Sequence, residues 1–364
     1  MSYRNTAIAA AALSLAALAP ASFASAADLP VKAVKAAPDL PFFFVIDDRV
    51  TFSYIPKGTD PGVFTVNPNG TINGNTAKQV YSFTHFDAWA YGTNFFTISM
   101  FKSDHNDPAN GCPFPNPGNC AGATEIYGLI RSTFGWNEIF NTHAFTMGPL
   151  HNISFEVGAD ANTENNALAP AKRDFVAGLQ FAFDLPYKGF FNVNPLYYKE
   201  INHNAFDQCG PVSGILGVAN VNCLPSGNTD YRGTWAVETN WYMDLGFLPP
   251  SVQYFSISGR AAWYGEKGLE NAPLPGLPPG SVGGGGTPTA VEFNSEPIRL
   301  TMDVSKAIWG PKYTHNVDVW VAYRYWQNKF GLDHNNSAVC NVAPGISNNS
   351  CTESSVYSGI TVKF

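Results

Sequence analysis

Charge is scarce in this 364-residue chain. Asp, Glu, Lys and Arg supply 13% of it, about half the share of an ordinary soluble domain. No block of Lys and Arg occurs, and the net charge is −7. A nucleic-acid partner is therefore not expected, because phosphate backbones are held by clustered cations. Long hydrophobic runs are also missing. Past the N-terminal region, no stretch reaches the roughly 20 apolar residues that a membrane helix needs. Catalytic signatures are absent as well: there is no G-x-S-x-G, H-E-x-x-H or G-x-x-x-x-G-K-[ST]. His151 and Ser154 stand near one another at a strand start, but such a pair arises readily by chance, so the chain is expected not to be an enzyme. Nothing calls for a cofactor. Among the cysteines there is no C-x-x-C or His-rich spacing for zinc, and no metal is expected.

The N-terminus has one positive charge, Arg4, before the apolar stretch from Ala7 to Ala19, then Pro20 and the small residues Ala24 and Ala26. This is the pattern of a secretory signal peptide over residues 1–26, cleaved before Ala27. The apolar run is too short for a spanning anchor. Without the leader's Arg4, 20 basic residues face 28 acidic ones and the charge is −8. A Pro- and Ala-containing linker is expected over 27–43, on the periplasmic side.

What is present is Gly (33), Pro (27) and aromatic residues (14%). Few charges with many aromatics suit a membrane barrel, where one strand face meets lipid and aromatic girdles flank it. The six cysteines form three locally spaced pairs inside Gly-, Pro- and Asn-rich segments. Six cysteines allow 15 connectivities; local spacing favours Cys112 with Cys120, Cys209 with Cys223, and Cys340 with Cys351. An oxidising compartment follows.

From residue 44 to 364 the sequence reads as twelve strands: 44–55, 79–89, 94–103, 123–134, 151–161, 172–184, 189–202, 231–245, 251–265, 292–304, 314–327 and 353–364. The clearest is 316–326, where Val317, Val319, Val321, Tyr323 and Tyr325 alternate with Asn316, Asp318, Trp320, Arg324 and Trp326. Successive strand side chains face opposite sides. Alternation alone also suits a soluble sandwich, but link lengths separate the two. The Cys-bearing and Gly-rich links all fall on odd-numbered connections. In an up-and-down outer-membrane barrel these emerge together as long extracellular loops, opposite short periplasmic turns. One link does not fit, the long even-numbered 135–150 with Trp136 and His143. The predicted fold is an all-β transmembrane antiparallel barrel of about twelve strands in a bacterial outer membrane, in contact with lipid and lipopolysaccharide. The final Phe364 is the kind of terminus read by outer-membrane assembly machinery, by likeness to such proteins as a class.

Residues 79–103, QVYSFTHFDAWAYGTNFFTISMFKS, resemble the second and third strands of the Tsx-like nucleoside-specific outer-membrane channels, which carry a W-x-Y-G-x-N-F-F-like turn, here Trp89 to Phe96. Met147-Gly148-Pro149, Trp241-Tyr242-Met243-Asp244-Leu245-Gly246 and Val321-Ala322-Tyr323-Arg324-Tyr325-Trp326 are similar to further segments of that family. The resemblance runs sparsely from about residue 79 to the end, and the loops with their cysteines depart from it. The junction Ala27-Asp28-Leu29-Pro30-Val31-Lys32 looks like that of alphaproteobacterial porins. The family resemblance implies a nucleoside channel.

Alternation puts Tyr81, Phe83, His85, Asp87, Glu156, Asp160, Asn192, Asn194, Tyr198, Glu200, Glu238, Asn240, Tyr242, Asp244, Arg260, Tyr264, Arg299, Asp303, Asp318, Trp320, Arg324 and Trp326 in the lumen. Aromatic faces stack on a nucleobase, while carboxylates, amides and arginines serve its edges and ribose hydroxyls. Passive diffusion of nucleosides is the expected function. The alternatives are a general diffusion porin, or a surface barrel such as a phage receptor or adhesin. For any one of these residues, a role in filling and neutralising a narrow barrel is the blander assignment.

Overall fold

The computed structural model describes residues 42–364 except 113–119, 167, 204–223, 227, 268–288, 338 and 344. The expected leader and nearly all of the linker lie outside these residues. So does the expected Cys209–Cys223 pair.

Twelve long antiparallel strands follow one another around a ring: β1 (Phe43–Gly58), β2 (Thr76–Trp89), β3 (Gly92–Ser103), β4 (Thr124–Gly135), β5 (Leu150–Glu164), β6 (Ala171–Leu185), β7 (Gly189–His203), β8 (Thr234–Asp244), β9 (Phe255–Tyr264), β10 (Glu292–Asp303), β11 (Val317–Gln327) and β12 (Thr352–Lys363). Each pairs with its sequence neighbours, and β1 pairs with β12, from Arg49 opposite Lys363 to Tyr54 opposite Ser358. Closure leaves no strand edge unpaired, the condition for a sheet to cross hydrocarbon. Strands of 10–16 residues meet the crossing length of about 9–11.

Link lengths sort by rim. The odd-numbered links 59–75, 104–123, 204–233, 265–291 and 328–351 are long, and only 165–170 is short. We call this the outer rim, by the habit of bacterial barrels. At the inner rim, links of two and three residues join β2 to β3 and β6 to β7. The anomalous link 136–149 holds one helical turn, α1 (Trp136–Ile139), tied down by Asn137, whose side chain donates to Thr146 and to the His151 carbonyl. A longer turn, α2 (Val304–Trp309), fills the β10–β11 link, N-capped by the Asp303 carboxylate.

The outside of the ring is apolar. Val50, Phe52 and Tyr54 on β1, Ile298 and Leu300 on β10, Val319 and Val321 on β11, and Val356, Ile360 and Val362 on β12 are exposed. A row of such side chains around the whole circumference suits hydrocarbon, not water. Aromatic groups gather at both borders: Phe42, Trp89, Tyr91 and Phe134 at the inner rim, and Trp263, Phe293 and Tyr325 at the outer, as interfacial girdles do. The chain is therefore a closed twelve-strand barrel of the outer-membrane type.

Two disulfides close outer-rim links, Cys112–Cys120 and Cys340–Cys351. The second packs with Leu332 and Val339 in a small apolar cluster of its own.

Candidate functional site

The inner face is fixed by one contact. Arg131 on β4 donates from Nε and a terminal nitrogen to Glu238 on β8, at 3.0 and 2.7 Å. Strands four apart in a ring of twelve meet only across the interior. Both side chains therefore point inward, and the register carries that parity around the barrel. It places Glu156, Asn192, Asn194, Tyr198, Glu238, Asn240, Tyr242, Arg260, Tyr264, Arg299, Asp318, Trp320 and Arg324 on the lumen side, with Asp160, Glu200, Asp244, Asp303 and Trp326.

The four residues expected from β2 are a correction. Tyr81, Phe83 and His85 pair with Met100, Ile98 and Phe96, all exposed on the outer face, and Asp87 follows the same parity opposite Asn94. The inward residues of β2 are Lys78, Val80, Ser82, Thr84 and Phe86. Polarity misleads here because Asp87 lies two residues from the inner rim. It accepts a bond from Asn94, and His85 sits between it and Asp48. This outward polar cluster is at the level where membrane proteins meet water. His151 and Ser154 are not brought together: His151 is exposed against Asp184 at 3.2 Å, while Ser154 is buried on the inner face.

A polar belt crosses the middle of the lumen. Arg131 also bonds the Asp160 carboxylate and lies 3.9 Å from Glu156. Tyr264 donates to Glu238 at 2.9 Å and Tyr127 to Asp160 at 2.9 Å. One guanidinium thus serves three carboxylates, all of them half-buried or buried. Below the belt, toward the inner rim, Asn240 and Arg260 are exposed, and Asn192 donates to Asn240 at 2.8 Å.

Buried apolar and aromatic side chains cover two parts of the inner wall. One wall carries Val176, Leu196, Tyr198, Ala236, Ala262 and Tyr264; another carries Ile55, Val80, Trp320, Ala322 and Tyr357. The Trp320 indole lies where a Cβ on Gly359 would meet it at 2.4 Å, so this register position needs glycine. Arg299 stacks on that indole, 3.9 Å from the ring centre, and pairs with Glu296 at 2.6 Å. Both reach the lumen because β10 bulges at Glu296 and Pro297, shifting parity between them, as a strand proline without an N–H permits. Arg324 pairs with Glu353 at 3.0 Å.

Two link lysines are buried at the outer rim. Lys267 is buried against Glu200 at 2.6 Å and donates to the Phe330 carbonyl. Lys329 bonds Glu353 at 3.0 Å and the Thr59 carbonyl. At the inner rim, Arg49 and Lys363 flank Asp47, and His315 joins Asp318 at 3.0 Å to the Tyr242 hydroxyl at 3.2 Å. The bond to Asp318 holds the His315 pKa above its usual value, more than burial lowers it.

Alternation in the strands gave no sign of Lys78, Lys267, Lys329 or of three buried carboxylates, Asp60, Asp107 and Glu164, that gather at the outer rim. Burial, then the charge of Asp60, pushes the Asp107 carboxyl up to about 6. These residues stand in links or at strand ends, where no period marks them; only their charge next to loop punctuation was visible.

No family model and no curated protein matches the chain. Among solved structures it is similar to an outer-membrane channel from Pseudomonas putida F1, with 10% identity over 89% of this chain and 97% of that one and a TM-score of 0.39. It is also similar to LpxR from Salmonella typhimurium, with 9% identity, coverage of 87% and 100% and a TM-score of 0.35. The translocator domain of the autotransporter NalP from Neisseria meningitidis gives 8%, 88% and 87%, and 0.31.

Proposed function

We propose that the chain is a channel of the bacterial outer membrane that passes small solutes by passive diffusion, with nucleosides as the favoured class, and that it is not an enzyme. The observation that carries the reading is the cross-lumen contact of Arg131 with Glu238, which sets a narrow polar gate between an exposed inner vestibule and an aromatic outer half. A nucleoside is neutral and has both a stacking face and polar edges. Tyr264 and Tyr198 stand at 4.8 Å from each other just above the gate, beside Glu238. The carboxylates around the gate disfavour anionic nucleotides, because two like charges in a confined, poorly screened site repel strongly. The Tsx-like segments of the sequence point to the same solute class.

Liposome swelling tests it. Nucleosides are expected to enter faster than sugars of similar size, and added nucleoside is expected to reduce single-channel current reversibly. Equal rates for both solutes leave the general diffusion porin. A second reading, a surface barrel without transport, is favoured by outer-rim link lysines held on strand carboxylates, Lys267 on Glu200 and Lys329 on Glu353; absence of any conductance selects it.

A further inference from the structure

Three carboxylates converge where the outer-rim links meet the barrel. Asp60 begins the β1–β2 link, Asp107 lies in the β3–β4 link, and Glu164 ends β5. They are 3%, 0% and 5% exposed. One oxygen from each comes within 4.8 Å of one from each of the others.

Their hydrogen bonding is incomplete in a consistent way. Lys78 holds Asp60 Oδ1 at 2.7 Å, and Asn166 donates to Asp107 Oδ1 at 3.3 Å. The oxygens Asp60 Oδ2, Asp107 Oδ2 and Glu164 Oε1 are buried without a hydrogen bond of their own, although Ser103 and Glu164 come within bonding reach of the Asp107 carboxyl. A buried carboxylate oxygen without a donor is strongly disfavoured, and here three such oxygens face one another. The ammonium of Lys78 offsets one charge and is already shared with Glu125 at 3.7 Å.

The other acidic cluster with ligand spacing behaves differently. At the inner rim, Asp303, His315 and Asp318 also approach within 4.8 Å. There the Asp303 carboxylate accepts from Ser305 and from the backbone N–H groups of Lys306 and His315, and Asp318 accepts from His315. That cluster is satisfied by the protein, and the outer one is not.

We propose that Asp60, Asp107 and Glu164 bind one divalent cation, calcium by preference. The donors are all hard oxygens with no imidazole or thiolate, the set that selects calcium or magnesium over zinc. One oxygen from each carboxylate lies within 4.8 Å of the others, close enough to share one ion, and calcium accepts irregular oxygen sets at about 2.3–2.6 Å, whereas magnesium needs about 2.0–2.1 Å and near-octahedral order. The ion ties two long links to the β5–β6 hairpin. The same region is already in contact through the Asn110 N–H on the Asn165 carbonyl at 2.7 Å and the bridge between Ala109 and Asn166. Calcium would therefore fix the shape of the outer mouth. The site is independent of which solute crosses the barrel.

The test uses the full chain in lipopolysaccharide-free detergent micelles, stripped with EDTA and titrated calorimetrically with calcium chloride, then separately with magnesium chloride. One calcium per chain is expected, with weaker magnesium binding, and calcium is expected to slow protease cleavage in links 59–75 and 104–123. Asp107→Asn should weaken calcium binding by more than the about 10–100-fold that loss of an outer-shell partner costs. Its barrel is checked by heat-modified gel mobility. Should that variant not fold, the wild-type protein with and without EDTA decides. No calcium uptake by wild type, with cleavage indifferent to EDTA, overturns the proposal and assigns the cluster to a shared proton.

Discussion

Arg131 sets the cross-section of the lumen, because its guanidinium is the cation that Glu238, Asp160 and Glu156 share. Arg131→Met leaves three carboxylates facing one another without it. Loss of one partner from a buried ion pair costs about 3–5 kcal/mol, so chemical unfolding in detergent should show a midpoint lowered accordingly. Single-channel recording of the same variant should show larger conductance and stronger cation preference. His315 offers a pH readout at the inner rim. Its pKa is raised above 6.5, first by the bond to Asp318, with Asp303 adding to the effect and Arg49 opposing it. The stabilisation is thus complete below the unfolded value and lost as pH rises through the folded one. Wild type is expected to resist urea better at pH 6 than at pH 9, and His315→Gln, which also keeps a contact to Tyr242 within reach, should show a smaller difference. An unchanged difference would move the pH effect to other groups.

Within the strands, the controlling fact is the period of two. On β11, Val319 and Val321 face outward while Trp320 and Ala322 are buried inside. Arginine on the lipid face near the bilayer midplane costs about 2–4 kcal/mol, so Val321→Arg should fold poorly into vesicles. Asn240→Arg, on the exposed lumen side of β8, should insert as wild type does. Equal folding of the two variants in equilibrium titrations would reverse the assigned faces. On β2 the same period is ambiguous. Tyr81 to Asp87 alternate with Ser82, Thr84 and Phe86, and small hydroxyl residues against aromatics and a late His and Asp give no clean contrast. The neighbouring strands settle it, since Ile98 and Met100 across β3 are unambiguous. On β10 the opposite holds: Pro297 signals an irregularity, but only the ladder shows that it shifts parity there.

For the whole molecule, closure matters more than any strand. β1 and β12 are more than 300 residues apart and pair over six register positions, so the ring has no free edge and its exterior can be uniformly apolar. At the outer rim, link lysines are buried against strand carboxylates, while the inner half carries exposed polar residues. This asymmetry predicts small unitary currents, read in the same planar-bilayer recordings that test nucleoside block. Large currents without block would instead fit a general porin with its links displaced.

The sequence by itself determined strand number, strand type, the parity of the link lengths and two disulfide pairs, because each is local. A period of two, a run of turn residues or two nearby cysteines can be read within about a dozen positions. It also placed most lumen residues, from Glu156 to Arg324, because their strands alternate cleanly. What only the tertiary structure decided is everything that depends on meeting across the ring. Arg131 finds Glu238 from 107 residues away, Lys329 reaches Thr59 from 270, and Asp60, Asp107 and Glu164 come from three separate segments. No spacing in the chain encodes such encounters. They follow from how far each strand has been carried around a closed sheet, and from the low-dielectric interior that makes charges there find partners.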